Sequence, residues 1–481
     1  MRVILVIALL SCFGVQAQHL IGDLYEEMPS DSVLPLSVST HTSILPAIRK
    51  PNRSGELKDS SSSFISITGL VDMGYRYSTN SEYRLGGGVR FESSLKNKFH
   101  FVLNGIQGIG SADSIFTTKA YIVQPKNKNY LYTDLRGRIS YTPNEIFNFQ
   151  VGLDHNFIGE GNRSLFLSDY GKPYPFAMIR SRFWRLEYLV LYQFFREEVK
   201  DKWRMKNAAT HHISFNATKW LNLGIFETVI FQPKDTMLYR GFDVEYLNPV
   251  IFYRPQEYSM GSSDNVLLGA SATAKWKKMT FYSQFIIDEF SLTEIRAKTK
   301  WWANKFGLQT GVKGRFEKGH STFFFRTEFN FVRPYTYAHL NAGQNYGNMG
   351  STLAHPYGSN FYEILGELKI QKNRWTMKTF VSYFLYGADK DGFSYGGNLY
   401  APYDNRPVID GKIQDYGHFT GQGAGNNGFR GILTLSYQLV KDGNIQVFLE
   451  NQYRYDSALE RNNYIPLIGI RSQLWNDHRN Y

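Results

Sequence analysis

The chain has 481 residues, an aromatic content of 16% and a formal net charge of +12, from 54 Lys and Arg against 42 Asp and Glu. So many aromatic residues exclude an intrinsically disordered chain, and beyond residue 17 no run approaches the ~18 apolar residues that a membrane-spanning helix requires. Cys12 is the only cysteine, which excludes both a disulfide framework and a thiolate metal site.

Residues 1–17 have the features of an export signal. Arg2 supplies the positive start, an apolar run follows, and Ala17 ends a stretch of small residues that signal peptidase would cleave. An alternative is a lipobox at residues 9–12, which would leave a lipidated Cys12. Either way, the sequence predicts that the protein is exported from the cytoplasm.

Residues 18–63 differ in composition from the rest of the chain. They include a serine-rich stretch that ends at Ser63, scattered prolines and little alternation of apolar and polar residues. We predict a periplasmic N-terminal arm or partial plug over 18–63, followed by a barrel domain over 64–481.

The body of the chain repeats an alternation of apolar and polar residues with a period of two, which is typical of β-strands. In the clearest segment, Phe147 and Phe149 fall on one face, and Asn148 and Gln150 fall on the other. Segments of about 10–13 residues with aromatic ends fit the tilted strands of an outer-membrane barrel better than the shorter strands of a soluble sandwich. The predicted strands are residues 64–77, 83–95, 98–109, 130–142, 146–158, 174–183, 184–195, 210–218, 220–231, 264–276, 279–290, 305–316, 321–332, 360–371, 374–386, 428–440, 443–455 and 464–475.

The connections between these segments sort into two sets. Tight turns such as 96–97 and 277–278 alternate with mostly long connections such as 333–359 and 387–427. Outer-membrane barrels have short periplasmic turns and longer extracellular loops. The predicted fold class is therefore all-β: a transmembrane antiparallel β-barrel of about 18 strands with long extracellular loops.

No catalytic pattern stands out. The metalloprotease, hydrolase-elbow and P-loop motifs are missing, and His211 and His212 are neighbours that point to opposite faces of one strand. Asp389 begins a run like that of a calcium loop, but Tyr400 stands where the bidentate acid belongs. We predict no enzyme activity, no metal and no cofactor. Barrel enzymes with a Ser–His or Asp–His set on the rim remain an alternative.

The net positive charge does not indicate nucleic-acid binding in an exported barrel, because such a protein does not ordinarily meet nucleic acid. Its expected partners are outer-membrane lipid, the phosphates of lipopolysaccharide and anionic surface polysaccharide. The alternative is that lysines in the short turns only solvate the periplasmic rim. The predicted loops also carry aromatic, histidine and amide side chains that suit carbohydrate, although these residues could equally pack the loops over the mouth: Tyr335, Tyr337, His339, Asn341, Gln344, Asn345, Tyr346, Tyr395, Tyr400, Tyr403 and Asn405.

Several motifs, taken in order, resemble a known family. The run GEGNRSLFLSD and the pair NPVIFYR and SDNVLLG resemble the capsule-assembly Wzi family of outer-membrane barrels. Gln284, Asp288-Glu289, RPYTYAH and LAHP look like the branch found in Bacteroidota, which includes the gliding-motility protein RemB. These motifs occupy 159–169, 248–254, 263–269, 333–339 and 353–356 within a resemblance that covers about 64–475.

The resemblance implies an outer-membrane protein that binds surface polysaccharide in a lectin-like way. We expect the binding to be noncovalent, through aromatic stacking and charge-assisted hydrogen bonds from arginine and lysine side chains to anionic sugars. The alternatives are an accessory component of gliding motility or secretion machinery that acts by protein contact, and a diffusion porin. Gly159 and Gly161 are expected to adopt positive φ where the chain leaves the membrane. The candidate ligand-binding residues are Arg163, Asp169, Arg254, Asp264, Tyr335, Tyr337, His339 and His355. Alternatively, these shared residues fix the loops without touching ligand.

Overall fold

The computed structural model describes residues 19–20, 41, 43–46, 48–49, 63–77, 82–96, 98–111, 122–126, 129–199, 202–233, 244–247, 264–439, 445–458 and 460–472. The predicted export signal and most of the predicted arm lie outside these residues.

Eighteen antiparallel strands form a closed barrel, which confirms the predicted fold class and strand number. Each strand pairs with the next along the chain, and the last pairs with the first, from Leu467 with Arg76 to Arg471 with Asp72. The strands are β1 Phe64–Arg76, β2 Glu82–Leu95, β3 Phe99–Ser111, β4 Asn129–Tyr141, β5 Phe147–Asp154, β6 Tyr174–Phe183, β7 Leu186–Val199, β8 Lys202–Asn216, β9 Leu221–Phe231, β10 Asn265–Trp276, β11 Met279–Glu289, β12 Lys305–Lys318, β13 Ser321–Val332, β14 Phe361–Lys372, β15 Trp375–Ala388, β16 Ala424–Gln438, β17 Ile445–Asp456 and β18 Arg461–Ser472.

The wall of the barrel is apolar outside, and much of its inner face is polar. On β5, Phe149 and Val151 are exposed on the outer face, whereas Asn148 and Gln150 are buried on the inner face. Exposed tryptophans lie at the short turns, where an aromatic belt meets the membrane interface. These tryptophans are Trp184, Trp220, Trp276 and Trp375.

The wall departs from the prediction beside β5. This strand was predicted to reach residue 158 but ends at Asp154, because Phe157 and Ile158 turn inward and pair with the strand Ile44–Leu45. A short strand that the prediction placed in a loop, Ile122–Lys126, pairs instead with β4 from Asn129 to Thr133. Its five residues include a proline and are too few to show alternation.

The lumen contains packed loops. Two loops supply most of this interior: the crossing loop, residues 155–173 between β5 and β6, and the capping loop, residues 333–360 between β13 and β14. Leu165, Phe166 and Tyr337 belong to an apolar cluster that also includes inward side chains of the wall. Among the helices in the described part of the chain, none has the length and apolarity to cross a membrane.

Candidate functional site

The crossing loop spans the width of the barrel. It leaves the wall between β5 and β6, and its tip reaches the inner face of β13 and β14, eight strands further around. There Glu328 accepts hydrogen bonds from the backbone N–H groups of Asn162 (2.8 Å) and Arg163 (3.2 Å). The loop therefore divides the lumen.

An ion pair fixes the loop tip. Arg163 Nη2 lies 3.2 Å from Glu363 Oε1, with the Arg163 side chain 1% exposed and the Glu363 side chain 0% exposed. His355 Nε2 lies 2.7 Å from the other oxygen of the same carboxylate. Because burial lowers the pKa of His355, its imidazole is neutral and can donate this hydrogen bond. One arginine thus balances the charge of Glu363.

Two glycines allow the loop to approach the wall. Gly159 has a φ of 149°, as predicted, and a Cβ there would lie 2.7 Å from the amide nitrogen of Gln284. Gly161 has no positive φ, contrary to the prediction. It is required for a different reason: a Cβ there would lie 2.4 Å from Glu328 Oε2 and 2.5 Å from the carbonyl oxygen of Arg163.

Part of the N-terminal segment binds the crossing loop inside the lumen. The N–H and the hydroxyl of Ser43 both donate to Glu160 Oε1 at 2.7 Å. Glu160 also pairs with Lys313 on β12 at 2.7 Å. His41 lies 2.9 Å from the hydroxyl of Ser214, near the end of β8. The Glu160–Lys313 pair attaches the crossing loop to the wall at a second point, and the His41 contact attaches the N-terminal segment to the wall.

The capping loop holds two buried tyrosines in left-handed backbone conformations. Tyr335 has φ 65° and Tyr337 has φ 73°, and both side chains are 0% exposed. The hydroxyl of Tyr337 donates to the carbonyl of Leu165, and its N–H donates to Asp288. The hydroxyl of Tyr335 donates to the carbonyl of Ser394. Such backbone strain, of order 1–3 kcal/mol per residue, persists where surrounding contacts over-determine it.

The structure places most of the predicted ligand residues in the loop packing. Asp169 is buried in the crossing loop, and Asp264 accepts hydrogen bonds from Tyr246 and Gln344. Arg254 lies outside the described residues. The burial and the partners of the following residues favour a role in fixing the loops: Arg163, Asp169, Asp264, Tyr335, Tyr337 and His355. His339 is partly exposed at the mouth of the barrel.

A cluster of aromatic and cationic side chains surrounds His339. We call it the mouth cluster and define it as Trp301, Trp302, His339 and Tyr403, with the cations Lys305 and Arg406. The rings of Trp302 and Tyr403 are 4.8 Å apart, and the His339 ring is 6.0 Å from that of Tyr403. The Arg406 guanidinium lies 3.8 Å from the Trp302 ring centroid, and Lys305 Nζ lies 4.2 Å from that of Tyr403. The four aromatic side chains are partly exposed.

Three long loops build this cluster. The N–H of Trp302 donates to the carbonyl of Asp415, and the N–H of His418 donates to the carbonyl of Lys300, both at 2.9 Å. Arg333 of the capping loop donates to the carbonyls of Trp301 and Asn304. Residues from separate loops are therefore fixed at one rim of the barrel, on the side of the long connections.

The sequence analysis identified His339 and Tyr403 but missed Trp301, Trp302, Lys305 and Arg406. The adjacent tryptophans in a long loop were a signal that could have revealed the site. The two cations gave no such signal, because their closest ring contacts, Lys305 with Tyr403 and Arg406 with Trp302, join parts of the chain that are far apart in sequence.

We predict that the three loops that build the mouth cluster lose protection from hydrogen exchange as the pH falls. Burial lowers the pKa of His339 to about 4, with a further contribution from Lys305, and burial also lowers the pKa of His418. The undocked loops, with ordinary histidine pKa values near 6.5, bind protons more readily. Loop docking is thus fully stabilised above pH ~6.5 and weakens progressively below it.

Hydrogen exchange at pH 7 and pH 4.5, corrected for the intrinsic rate, measures this effect. Protection should fall in the capping loop while the barrel strands stay protected, and His339→Asn should reduce the difference between the two pH values. Equal protection at both pH values would contradict the prediction.

Comparison with solved structures finds a similar fold in a known outer-membrane barrel. The chain is similar to Wzi of Escherichia coli, an outer-membrane protein involved in group 1 capsule assembly and described as a carbohydrate-binding β-barrel. The TM-score is 0.53 and the identity 12%, with 86% of this chain and 84% of that chain covered. OprD of Pseudomonas aeruginosa has a TM-score of 0.44 at 9% identity, covering 86% of this chain and 97% of that chain. No protein-family model matches the chain, and a search of curated proteins finds no match.

Proposed function

We propose that the protein is a plugged outer-membrane barrel that retains surface polysaccharide noncovalently at its extracellular mouth. The observation that carries this proposal is the mouth cluster: partly exposed aromatic rings, fixed by three loops, at the rim of a lumen that packed loops divide. Wzi, which has a similar fold, is described as carbohydrate-binding.

The chemistry of the mouth cluster suits a sugar. Aromatic rings present apolar faces against which the C–H face of a pyranose can stack, while their edges and neighbours remain polar. Trp302 and Tyr403 are held from behind by Lys305 and Arg406, which fixes their orientation.

We place the protein in the outer membrane and assign it a binding role without catalysis. The exposed apolar outer face and the tryptophans at the short turns support this location, because such surfaces suit lipid and its interface. Lipid and lipopolysaccharide would then contact the wall, and polysaccharide would contact the mouth.

Trp302→Ala should weaken binding of the cells' own extracted surface polysaccharide by about tenfold, because a central aromatic side chain of a binding site commonly contributes at least 1 kcal/mol. The matched control is Trp276→Ala. Trp276 is also an exposed tryptophan with a lysine nearby, Lys277 Nζ lying 4.8 Å from its ring, but it lies at a short turn on the opposite rim.

Affinity measured by titration calorimetry on the detergent-solubilised protein provides the first readout, and polysaccharide released into the medium by cells that carry each variant provides the second. Equal affinities for the two variants would overturn the assignment of the site. If deletion of the protein leaves polysaccharide retention intact but abolishes surface spreading, the proposed function is wrong.

A further inference from the structure

We infer that the mouth cluster binds an uncharged sugar, with Glu289 and Asp415 accepting hydrogen bonds from its hydroxyl groups. This inference rests on the proposed function and narrows its ligand to neutral glycans. It departs from the expectation that arginine and lysine side chains bind anionic sugars.

The cations of the mouth cluster point inward, and their carboxylate partners face solvent. Lys305 is 0% exposed and Arg406 is 7% exposed, whereas Glu289 is 38% exposed and Asp415 is 49% exposed. Lys305 Nζ lies 3.0 Å from Glu289 Oε1, and Arg406 Nη2 lies 2.7 Å from Asp415 Oδ1. A ligand that approaches from outside therefore meets acceptor oxygens before it meets a cation.

The donors of Arg406 are already engaged within the protein. Its Nε donates to the carbonyl of Gln414 at 3.1 Å, its Nη1 donates to the carbonyl of Tyr403 at 2.7 Å, and its Nη2 donates to Asp415. Lys305 bonds Glu289 and lies 3.9 Å from Asp288 as well. Neither cation presents the free fork or ammonium that recognises a carboxylate or a phosphate.

Three carboxylates also act on the Tyr403 ring. Burial raises the pKa of Tyr403, and so do the carboxylates of Glu289, Asp288 and Asp404, whereas Arg406 lowers it. Asp404 is exposed. Exposed bases do lie on the loop that precedes the tryptophans, at Arg296, Lys298 and Lys300.

Carboxylates beside aromatic rings select for sugar hydroxyls. An ionised carboxylate is an acceptor with two oxygens, so it can receive two hydroxyl donors from a vicinal diol. A uronate or phosphate at the same place would bring like charges together, which discriminates strongly against that ligand. The ligand class that fits is a neutral hexose with free neighbouring hydroxyls.

The test uses the detergent-solubilised full chain and three neutral polymers, a glucan, a mannan and a galactan, with polygalacturonate as the acidic probe. We expect at least one neutral polymer to bind more tightly than polygalacturonate, with little dependence on salt. Glu289→Gln and Asp415→Asn should each weaken the binding of the neutral polymers about tenfold, because hydrogen bonds to charged groups are stronger than hydrogen bonds to amides. The same substitutions should strengthen polygalacturonate binding by removing repulsion.

Asp391→Asn is the matched control, since Asp391 is 73% exposed on the same long loop as Asp415 and pairs only loosely with Lys390, at 3.9 Å. Glu289→Gln disturbs the site less, because Lys305 still has the carboxylate of Asp288 as a partner. Unchanged thermal unfolding of the barrel excludes a folding defect.

Polygalacturonate that binds more tightly than the neutral polymers, with an affinity that Glu289→Gln does not alter, would overturn the inference. Failure of all four polymers and of the native polysaccharide would instead overturn the proposed function.

Discussion

Arg163→Met is expected to open the lumen to ions. The substitution keeps the length of the side chain but removes the arginine that, within the described part of the chain, pairs with Glu363 at the tip of the crossing loop, and Glu363 is 0% exposed. Breaking a buried ion pair by removing one partner costs about 3–5 kcal/mol, because the remaining charge is left uncompensated. The tip should therefore release from β13 and β14. Planar-bilayer recordings should show a clear rise in single-channel conductance over the unmodified protein.

Two further variants show whether the ion pair is the cause. Arg185→Ala removes an exposed arginine at a short turn and should leave the conductance unchanged. Glu363→Gln combined with Arg163→Met should restore part of the docking, because no charge then remains buried without its partner. Unchanged conductance in the single variant would show that the tip is held by other contacts, such as the hydrogen bonds to Glu328.

Tyr337→Ala should loosen both loops in the lumen. The side chain is 0% exposed, packs in the main apolar cluster and donates its hydroxyl to Leu165 at 2.8 Å. Truncating a large buried aromatic residue costs about 3–5 kcal/mol, through lost burial and the cavity that remains. The capping loop should become accessible to proteases in the folded barrel, and hydrogen-exchange protection should fall in the crossing loop as well.

Tyr337→Phe is the matched control for this variant. It keeps the ring and removes only the hydroxyl, so it should cost about 1 kcal/mol and leave the loop resistant to proteases. If Tyr337→Ala weakened polysaccharide binding without loosening either loop, Tyr337 would be a direct ligand contact and the packing role would be wrong.

The fold could be predicted from the sequence because an outer-membrane strand has a strong local signal. Alternation places apolar residues such as Phe149 towards lipid and polar residues such as Gln150 towards the lumen over many positions. The end of β5 could not be predicted in this way. Phe157 continues the alternation in sequence, but it turns inward to pair with Leu45, which lies more than a hundred residues earlier in the chain.

The candidate site was less predictable because long-range contacts create it. The family-like motif around Arg163 did identify the crossing loop as an important one. The motif did not reveal that its partners would be carboxylates on β13 and β14, which face the lumen at alternate positions of ordinary strands. Likewise, Trp302 and Tyr403 lie on different loops, and hydrogen bonds between residues 299–302 and residues 415–418 help to hold these loops together.

The crossing loop also has a consequence for the order of assembly. Arg163 pairs with Glu363, which lies 200 positions later in the chain, so this contact has a high sequence separation. Contacts of such high sequence separation form late, because their entropy cost is met only after local hairpins have formed. We therefore expect the crossing loop to stay undocked until β14 has joined the growing sheet, and to reach Glu363 before β18 pairs with β1, a closure that joins residues still further apart in the chain.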